Sequence, residues 1–370
     1  MDTTDVNIEF YADGTCNHCN DFLSIMGKLP KGKDKEIARK TLIEKIKHSG
    51  KGKKYDCIVG VSGGTDSSYV AYLAKKVGLR PLAVHLDNGW DSELAVNNIH
   101  NILKKLNINL ETIVLDWEEF KQIQIAFIKS MTPDLDMPAD HAIRVAQLRM
   151  AKKYGIKYIL NGRNSSTEGI LPVDWSYGPW DYKYLKTLCK MFGMKKIKTF
   201  PKMNLFQYLV NIFIFKQQDV KFLNYFEYNK FDAEELLKNE LGWRSYGGKH
   251  YESVWTRFFQ GYILATKFNF DKRKAHLSIL VLNGKITRED ALKSLEENEY
   301  LTSGQWKTDM DFVTKKLDFQ EGYFLSYMNA ENKTYEDYPN NAFFLQPHKS
   351  RIMKKLFLLS KKLGFFPDAA

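Results

Sequence analysis

The amino-acid sequence predicts an α/β fold built on a parallel sheet with crossover helices. Between Tyr55 and about residue 165, short β-branched runs alternate with longer segments whose apolar residues recur every three or four positions. Two glycines follow the first run at once and precede a helical pattern, as expected where a buried strand turns into a helix. The four predicted strands cover residues 57–61, 81–86, 110–115 and 156–160.

Length and composition set the broad class of the protein. With 370 residues, we predict a cysteine knuckle at 1–30, an α/β nucleotide-binding domain at 31–177 and a mostly helical region at 178–370. A hydrophobic content of 44% excludes a disordered chain, and a net charge of +11 favours anionic partners. No run approaches the roughly 20 apolar residues that span a bilayer, and the first residues lack a signal-peptide pattern. We therefore expect a cytoplasmic protein.

The most apolar stretch of the sequence is 203–215, and lysines lie on both sides of it. This layout suits either a membrane surface or a buried helix. Because Asn204, Gln207 and Asn211 supply one polar side, we expect a buried helix.

The strongest local signal is the glycine pair. Without a Cβ atom, Gly63 and Gly64 let the backbone turn sharply and approach an anion, and the N-terminus of the next helix adds N–H groups and a positive dipole end. No lysine follows the glycines as in a Walker A loop, and the loop does not read G-x-G-x-x-G. The predicted phosphate-binding residues are Val61, Ser62, Gly63, Gly64, Thr65, Asp66 and Ser67.

The run S-G-G-T-D-S at 62–67 resembles the signature of the PP-loop ATP pyrophosphatases, in the same strand-turn-helix context. The resemblance implies an adenine nucleotide alpha hydrolase-like, Rossmann-like core that cleaves ATP to AMP and pyrophosphate to activate a carbonyl oxygen. A carboxylate beside a triphosphate needs a cation such as Mg²⁺. Asp66 is therefore a candidate magnesium ligand and catalytic residue, with a helix-capping role as the alternative.

The ends of the second and fourth predicted strands lie at the same sheet edge as the loop, where open α/β sheets bind ligands. In the family that the loop resembles, the second strand ends against adenine and ribose, so Leu86 and Asp87 are candidate ATP contacts. Asp87 is also a common turn former. Gly162 would allow close approach of the nucleotide. Three candidate substrate contacts follow, with an ordinary loop as the alternative: Arg163, Asn164 and Glu168.

Three further stretches narrow the reaction. They read G-x-C-N-x-C at 14–19, G-W-R-x-Y-G-G-K-H-Y-E-S at 242–253 and K-F-x-x-D-K-R-x-x-H-x-S at 267–278. Together they look like the N-acetyl sugar amidotransferases of surface-polysaccharide (LPS O-antigen) biosynthesis. The resemblance implies that ATP adenylates the acetamido oxygen of a nucleotide-activated sugar, that ammonia attacks and that AMP leaves. It also implies an ammonia-supplying partner pair resembling the glutaminase and cyclase of histidine biosynthesis.

The resemblance also implies roles for charged residues in these stretches. Glu252 or Asp271 would orient a lysine or magnesium, and His250 would take a proton from the attacking ammonia. We predict Lys249, His250 and Glu252, together with Asp66, as catalytic. Spacings of this kind also form surface ion pairs, which is the alternative. The cations expected to hold phosphates of ATP or of the sugar nucleotide are Lys249, Arg257, Lys272 and Arg273.

Cys16 and Cys19 have the C-x-x-C spacing of half a structural zinc site, which needs four tetrahedral ligands. Cys57 lies in a predicted strand and Cys189 in a distant helix, so neither is an obvious completion. The family that the chain resembles has a further C-x-x-C upstream. We therefore expect the full chain to begin before Met1 and the pair to bind zinc in it, with a metal-free or a redox pair as alternatives.

Two other functions compete with amidotransfer. A tRNA-modifying PP-loop enzyme would explain the basic charge and the C-x-x-C, although we find no clustered basic arm or aromatic-basic interleaving. An interaction protein that binds adenine nucleotide without turnover is the alternative from another class.

Overall fold

The predicted parallel α/β core with a helical C-terminal region is confirmed in a computed structural model, which describes residues 1–248, 251–320 and 322–345. Five parallel strands form one sheet in the order β3-β2-β1-β4-β5. The strands are β1 (Cys57–Gly60), β2 (Pro81–Asp87), β3 (Asn109–Val114), β4 (Tyr158–Asn161) and β5 (Gln218–Lys221).

Helices connect the strands and make up most of the chain after β5. In chain order they are α1 (Asn17–Lys28), α2 (Gly32–Ser49), α3 (Thr65–Lys76), α4 (Glu93–Leu106), α5 (Trp117–Lys129), α6 (Met137–Lys153), α7 (Ser165–Glu168), α8 (Tyr182–Met191), α9 (Leu205–Phe213), α10 (Lys230–Leu241), α11 (Val254–Phe258), α12 (Leu264–Lys267), α13 (Lys272–Leu282), α14 (Arg288–Glu296), α15 (Glu299–Thr302), α16 (Gln305–Lys316), α17 (Tyr323–Asn329) and α18 (Ala342–Leu345). A π-helical turn, Phe259–Ile263, joins α11 to α12.

The central strands are buried on both faces, which explains why they read as continuous apolar runs. Val59 and Ala83 pack with apolar residues of α3 and α4 on one face. Ile58 and Val84 pack on the other face against α6, where Val145 is fully buried. The sheet therefore presents its carboxyl edge between two layers of helices.

A second core joins the end of β2 to the C-terminal helices. Leu86 belongs to the same buried cluster as Phe120 of α5, Phe258 of α11 and Val313 of α16. These contacts place the C-terminal helices beside the carboxyl edge of the sheet.

Strand β5 was not predicted. It lies in the range 178–370, which we expected to be mostly helical, and it extends the sheet by pairing Tyr158 of β4 with Gln218. Its four residues, Q-D-V-K, contain one β-branched side chain, so no apolar run marks the strand in the sequence. The residues just after it anchor it, because Phe222 and Leu223 are buried in the core of the sheet.

The expectation of a buried helix at 203–215 is wrong. Helix α9 forms there, but Phe206 is 74% exposed and Ile214 is 68% exposed. The sequence pattern predicted the helix correctly, but it did not predict that the apolar side of the helix faces solvent instead of the core. Within the described residues, the structure has no helix that is both long and apolar enough to cross a membrane.

We expect Phe222→Ala to lower the free energy of unfolding by about 3–5 kcal/mol, because it leaves a cavity beneath β5. Phe231→Ala is the matched control, since Phe231 is 78% exposed, and we expect a change of about 0.5 kcal/mol or less. Urea unfolding curves measure both values. Equal effects of the two substitutions would show that β5 and its anchor are not packed as described.

Candidate active site

The loop between β1 and α3 needs glycine for steric reasons. Gly63 has a φ of +81°, and an added Cβ would lie 2.7 Å from the carbonyl oxygen of Ala95 and 2.7 Å from the hydroxyl of Tyr246. At the end of β4, a Cβ on Gly162 would lie 2.9 Å from backbone atoms of Asp66 and Ser67. The ends of β1 and β4 thus meet at the loop, as the sequence predicts for one sheet edge.

Two side chains from the C-terminal half hold the loop. Trp243 donates its Nε1–H to the carbonyl oxygen of Gly63 at 2.8 Å, and the Tyr246 hydroxyl donates to the same oxygen at 2.9 Å. Because the C=O and N–H of a trans peptide point in opposite directions, these bonds also fix the direction of the Gly64 N–H. Burial raises the pKa of Tyr246, so its hydroxyl stays a donor.

The segment that carries Trp243 and Tyr246 is itself fixed to α4. Asn98 is fully buried, and its side-chain amide donates to the carbonyl oxygen of Arg244 at 2.8 Å. The backbone N–H of Arg244 donates back to Asn98 Oδ1 at 2.9 Å. These two reciprocal hydrogen bonds resemble those between neighbouring β-strands. They position the segment that carries Trp243 and Tyr246.

The hydroxyl residues of the loop bind one another and the protein. Ser62 Oγ and Ser67 Oγ lie 3.2 Å apart, and Ser67 Oγ also donates to the carbonyl oxygen of Gly64 at 3.2 Å. Thr65 Oγ1 donates to Glu234 Oε1 of α10 at 3.0 Å. These hydrogen bonds hold the loop residues to one another and to α10.

Asp66 lies in the first turn of α3, while the N-cap position belongs to Gly64 and has no side-chain cap. The Tyr228 hydroxyl donates to Asp66 Oδ1. Burial and the neighbouring Asp66 carboxylate raise the pKa of Tyr228, so this hydroxyl stays protonated. Asp66 is thus not the capping residue, and its magnesium role stays a prediction.

The end of β2 carries a histidine–aspartate pair that the sequence analysis missed. His85 Nδ1 donates to the carbonyl oxygen of Val61 at 2.9 Å, and His85 Nε2 lies 3.1 Å from Asp91 Oδ2. Burial alone would lower the pKa of His85, but Asp91 and the Val61 carbonyl together raise it. The Asp87 side chain accepts a hydrogen bond from the Gly89 N–H at 2.9 Å. Asp87 therefore forms a turn, which is the alternative to its predicted ATP contact.

One cleft of about 910 Å³ opens beside this edge of the sheet. Its wall includes Ser62, His85 and Leu86 from the α/β core. Seven of the predicted catalytic and substrate residues also line it, although their individual roles stay predictions: Arg163, Asn164, Glu168, Glu252, Arg257, Lys272 and Arg273. Lys249 and His250 lie outside the described residues.

The segment with Glu252 is attached to the β2–α4 connection. The Ser92 N–H donates to the carbonyl oxygen of Glu252 at 2.9 Å, and the Val254 N–H donates to that of Trp90 at 3.0 Å. A Cβ on Gly64 would lie 3.4 Å from Glu252 Oε1. The Glu252 carboxylate therefore lies beside the phosphate loop.

Each predicted phosphate-binding arginine of the cleft is already paired with a carboxylate. Arg257 donates Nε and Nη2 to Asp309, both at 2.7 Å. Arg273 donates Nη2 to Asp271 Oδ2 at 2.7 Å. Arg163, a predicted substrate contact, donates Nη2 to Asp219 Oδ2 at 2.6 Å. Contact with a phosphate would use their remaining N–H groups or require the pairs to open.

Another acid in the cleft wall has an unusual environment. Asp134 is 5% exposed, and burial raises its pKa to about 6. Its Oδ1 accepts from the Tyr177 N–H at 2.8 Å. A carboxyl group that titrates near neutral pH is able to exchange a proton with a substrate. No sequence pattern marks Asp134, because its pKa depends on burial by segments that are distant in the chain.

The cysteine pair lies apart from the loop. Cys16 Sγ and Cys19 Sγ are 3.3 Å apart, and His18 Nε2 pairs with Asp5 Oδ2 at 2.5 Å. In the described part of the chain, no group of three or more His, Cys, Asp or Glu side chains gathers to hold a metal ion. The pair provides two of the four ligands that structural zinc needs, and zinc binding stays a prediction.

Two protein families match the chain. Residues 36–168 match the NAD synthase family, and residues 252–354 match the family described as LPS biosynthesis protein WbpG-like, C-terminal domain. The first range contains the phosphate loop, and the second contains Glu252, Arg257 and Lys272. These matches confirm the resemblance to PP-loop ATP-using enzymes and to proteins of LPS biosynthesis. Both matched ranges contribute walls to the cleft.

Single relatives match over shorter stretches. An uncharacterized protein of Methanocaldococcus jannaschii is 31% identical over 147 residues, which is 39% of this chain and 50% of the relative. A tRNA-specific 2-thiouridylase of Aliarcobacter butzleri is 30% identical over 125 residues, 31% of this chain and 36% of the relative. The chain therefore spans half or less of these relatives. The solved NMN synthetase from Francisella tularensis has 15% identity and a TM-score of 0.29, covering 56% of this chain and 95% of that one.

We expect Tyr246→Phe to weaken ATP binding by about threefold to tenfold, because it removes one of the two bonds that orient the Gly63–Gly64 peptide. The double variant Trp243→Phe with Tyr246→Phe loses both bonds and weakens binding further. Isothermal titration calorimetry with ATP and Mg²⁺ measures the effect. Tyr262→Phe is the matched control, since Tyr262 stacks on Trp306 away from the loop, and an equal loss there would contradict the assignment.

Asp91→Asn tests the His85 pair. The raised pKa of His85 means that the pair stabilises the fold below the unfolded pKa of histidine and that this contribution disappears as pH rises through the folded pKa. The wild type should therefore be more stable than Asp91→Asn at acidic pH, with the difference shrinking towards alkaline pH. Thermal unfolding across this range measures it, and NMR titration should show a lower His85 pKa in the variant. Asp311→Asn, at an exposed position of α16, is the control and should leave that pKa unchanged.

Proposed function

We propose that this chain, which joins a PP-loop ATP pyrophosphatase domain of the NAD synthase type to a WbpG-like C-terminal domain, is an ATP-dependent amidotransferase. Its acceptor is the acetamido group of a nucleotide-activated sugar, which it converts to an acetamidino group. The observation that carries the proposal is the shared cleft, because Ser62 of the phosphate loop and residues of the WbpG-like domain line the same space.

The reaction balances in two steps. The acetamido oxygen attacks the α-phosphorus of ATP, an O–P bond forms and pyrophosphate leaves. Ammonia then adds to the activated carbon, the C–O bond breaks and AMP leaves with the former amide oxygen. After ammonia has lost two protons, the product carries C=NH where the substrate carried C=O. Adenylation makes the oxygen a good leaving group, and holding both partners in one cleft removes much of the entropy cost of their encounter.

The chain's own residues support this chemistry. The Gly63–Gly64 peptide is fixed, and its Gly64 N–H donates to Ser62 Oγ at 3.3 Å in this structure. A triphosphate would replace Ser62 Oγ as the acceptor of this N–H and would also face the N–H groups at the N-terminus of α3. Glu252 lies beside the loop in the same cleft wall as Ser62, where a carboxylate is able to accept a proton from ammonia or orient a cation. A cleft of about 910 Å³ is at the upper end of the usual range for small-molecule sites, which suits two substrates.

Magnesium fits the site, because this ion usually binds phosphate oxygens together with only one or two carboxylates. Asp66 at the start of α3 is the residue that would hold it beside the triphosphate. When bound, the ion neutralises phosphate charge.

The ammonia source is a separate part of the proposal. A glutaminase and cyclase pair resembling the enzymes of histidine biosynthesis would deliver ammonia to the cleft. Ammonium chloride at alkaline pH should replace the pair, because free ammonia is then present.

The test is release of AMP and pyrophosphate from ATP with Mg²⁺ and ammonium chloride. We expect release with one nucleotide-linked acetamido sugar, accompanied by mass-spectrometric replacement of an oxygen by NH. Stimulation by bulk tRNA alone would favour the rival supported by the partial likeness to a 2-thiouridylase. No AMP with any acceptor would favour a nucleotide-binding protein without turnover.

Gly63→Ala should lower AMP formation by about 100-fold or more, because the new Cβ meets Ala95 and Tyr246 and displaces the loop. Gly193→Ala is a matched control, since Gly193 has a φ of +98° but a Cβ there meets nothing within 4 Å. The control carries the same type of backbone strain without the clash and should keep near wild-type activity. The measurement is the initial rate of AMP formation, and equal losses would contradict the role of the loop.

A further inference from the structure

Apolar side chains of α9 and the turn after it face solvent. Phe206 is 74% exposed and Ile214 is 68% exposed. The buried residue of α9 is polar: Asn211 donates its Nδ2–H to the carbonyl oxygen of Gln207 at 2.7 Å. The helix is thus oriented opposite to the usual pattern, with apolar groups outside. We call the following exposed set the α9 apolar face: Phe206, Leu209, Ile214 and Phe215.

The part of the chain that contains the α9 apolar face is rich in lysine. Residues 182–218 contain eight lysines and no aspartate or glutamate. Lys152 of α6 adds a cation, with its Nζ 4.7 Å from the ring centroid of Phe215. The exposed lysines between α8 and α9 and just after α9 are Lys195, Lys196, Lys198 and Lys216.

Two acidic residues in contact with, or next to, residues 182–218 form hydrogen bonds or ion pairs within the protein. Glu119 accepts the backbone N–H of Phe200 at 2.8 Å and that of Thr199 at 2.8 Å. Asp219 is paired with Arg144 at 2.8 Å and with Arg163. These two carboxylates are therefore held by other groups of the protein.

We propose that the α9 apolar face docks on an anionic lipid surface. A helix with aromatic and aliphatic groups outside and lysines at its rim matches an interfacial segment, whose apolar groups enter the boundary of the acyl chains while cations meet lipid phosphates. Nine residues are too few to span a bilayer, which needs roughly 20, so α9 lies in the plane of the interface. The absence of acid from residues 182–218 favours a continuous anionic surface over a protein partner of mixed charge.

The test is co-sedimentation of the full chain with vesicles made of equal parts phosphatidylglycerol and phosphatidylcholine. We expect binding that weakens with added salt and that is at least about tenfold weaker to pure phosphatidylcholine. The double variant Phe206→Glu with Ile214→Glu should lose about tenfold or more in vesicle affinity. Phe231→Glu is the matched control, because Phe231 is 78% exposed on α10, and it should bind like the wild type.

A second variant tests the charge without touching the apolar face. Lys195→Glu with Lys196→Glu should weaken binding at low salt and lose this effect at high salt. Circular dichroism melting checks that all variants fold. Absence of binding to the anionic vesicles, or equal binding by the wild type and the Phe206→Glu, Ile214→Glu variant, would overturn the proposal. A wild-type dimer that this variant dissociates, without vesicle binding, would show instead that a second copy covers the face.

Discussion

The carbonyl oxygen of Gly63 accepts two hydrogen bonds from outside its own loop, and the proposed site depends on them. Trp243 and Tyr246 come from the chain after β5, far from the loop in sequence, and their donors converge on one atom. A peptide held in this way keeps its N–H direction fixed before ATP arrives, which lowers the ordering cost of binding. The same contacts set the distance between the phosphate loop and the C-terminal helices.

Charge in the cleft is balanced rather than simply basic. The arginines of its wall are held by Asp219, Asp271 and Asp309, so the net charge of the chain does not appear there as unpaired arginines. Paired arginines keep a fixed geometry, and an arriving phosphate competes with a carboxylate for their N–H groups. An anionic ligand would therefore have to displace a carboxylate or use the arginine N–H groups that the carboxylates leave over.

The sequence was sufficient for the local features of the core. Apolar runs marked β1, β2 and β4, and the glycine pair identified the phosphate loop, because these signals depend on neighbours in the chain. The sequence was insufficient where contacts between distant segments of the chain determine the local structure. Strand β5 has no apolar run and exists because β4 offers an edge, and α9 presents its apolar side outward although periodicity favoured burial. Trp243 lies in the 242–253 motif that the sequence shows, but its hydrogen bond to Gly63 is visible only in the structure.

The most direct test of the central claim follows one oxygen atom. The acetamido oxygen of a nucleotide-linked acetamido sugar that supports AMP release is labelled with a heavy isotope, and AMP, pyrophosphate and water are analysed by mass spectrometry after turnover. Adenylation of the amide oxygen predicts that the label appears in AMP, one atom for each acetamidino group formed. A label that stays on the sugar, or that leaves in pyrophosphate or water, would contradict the proposed amidotransfer.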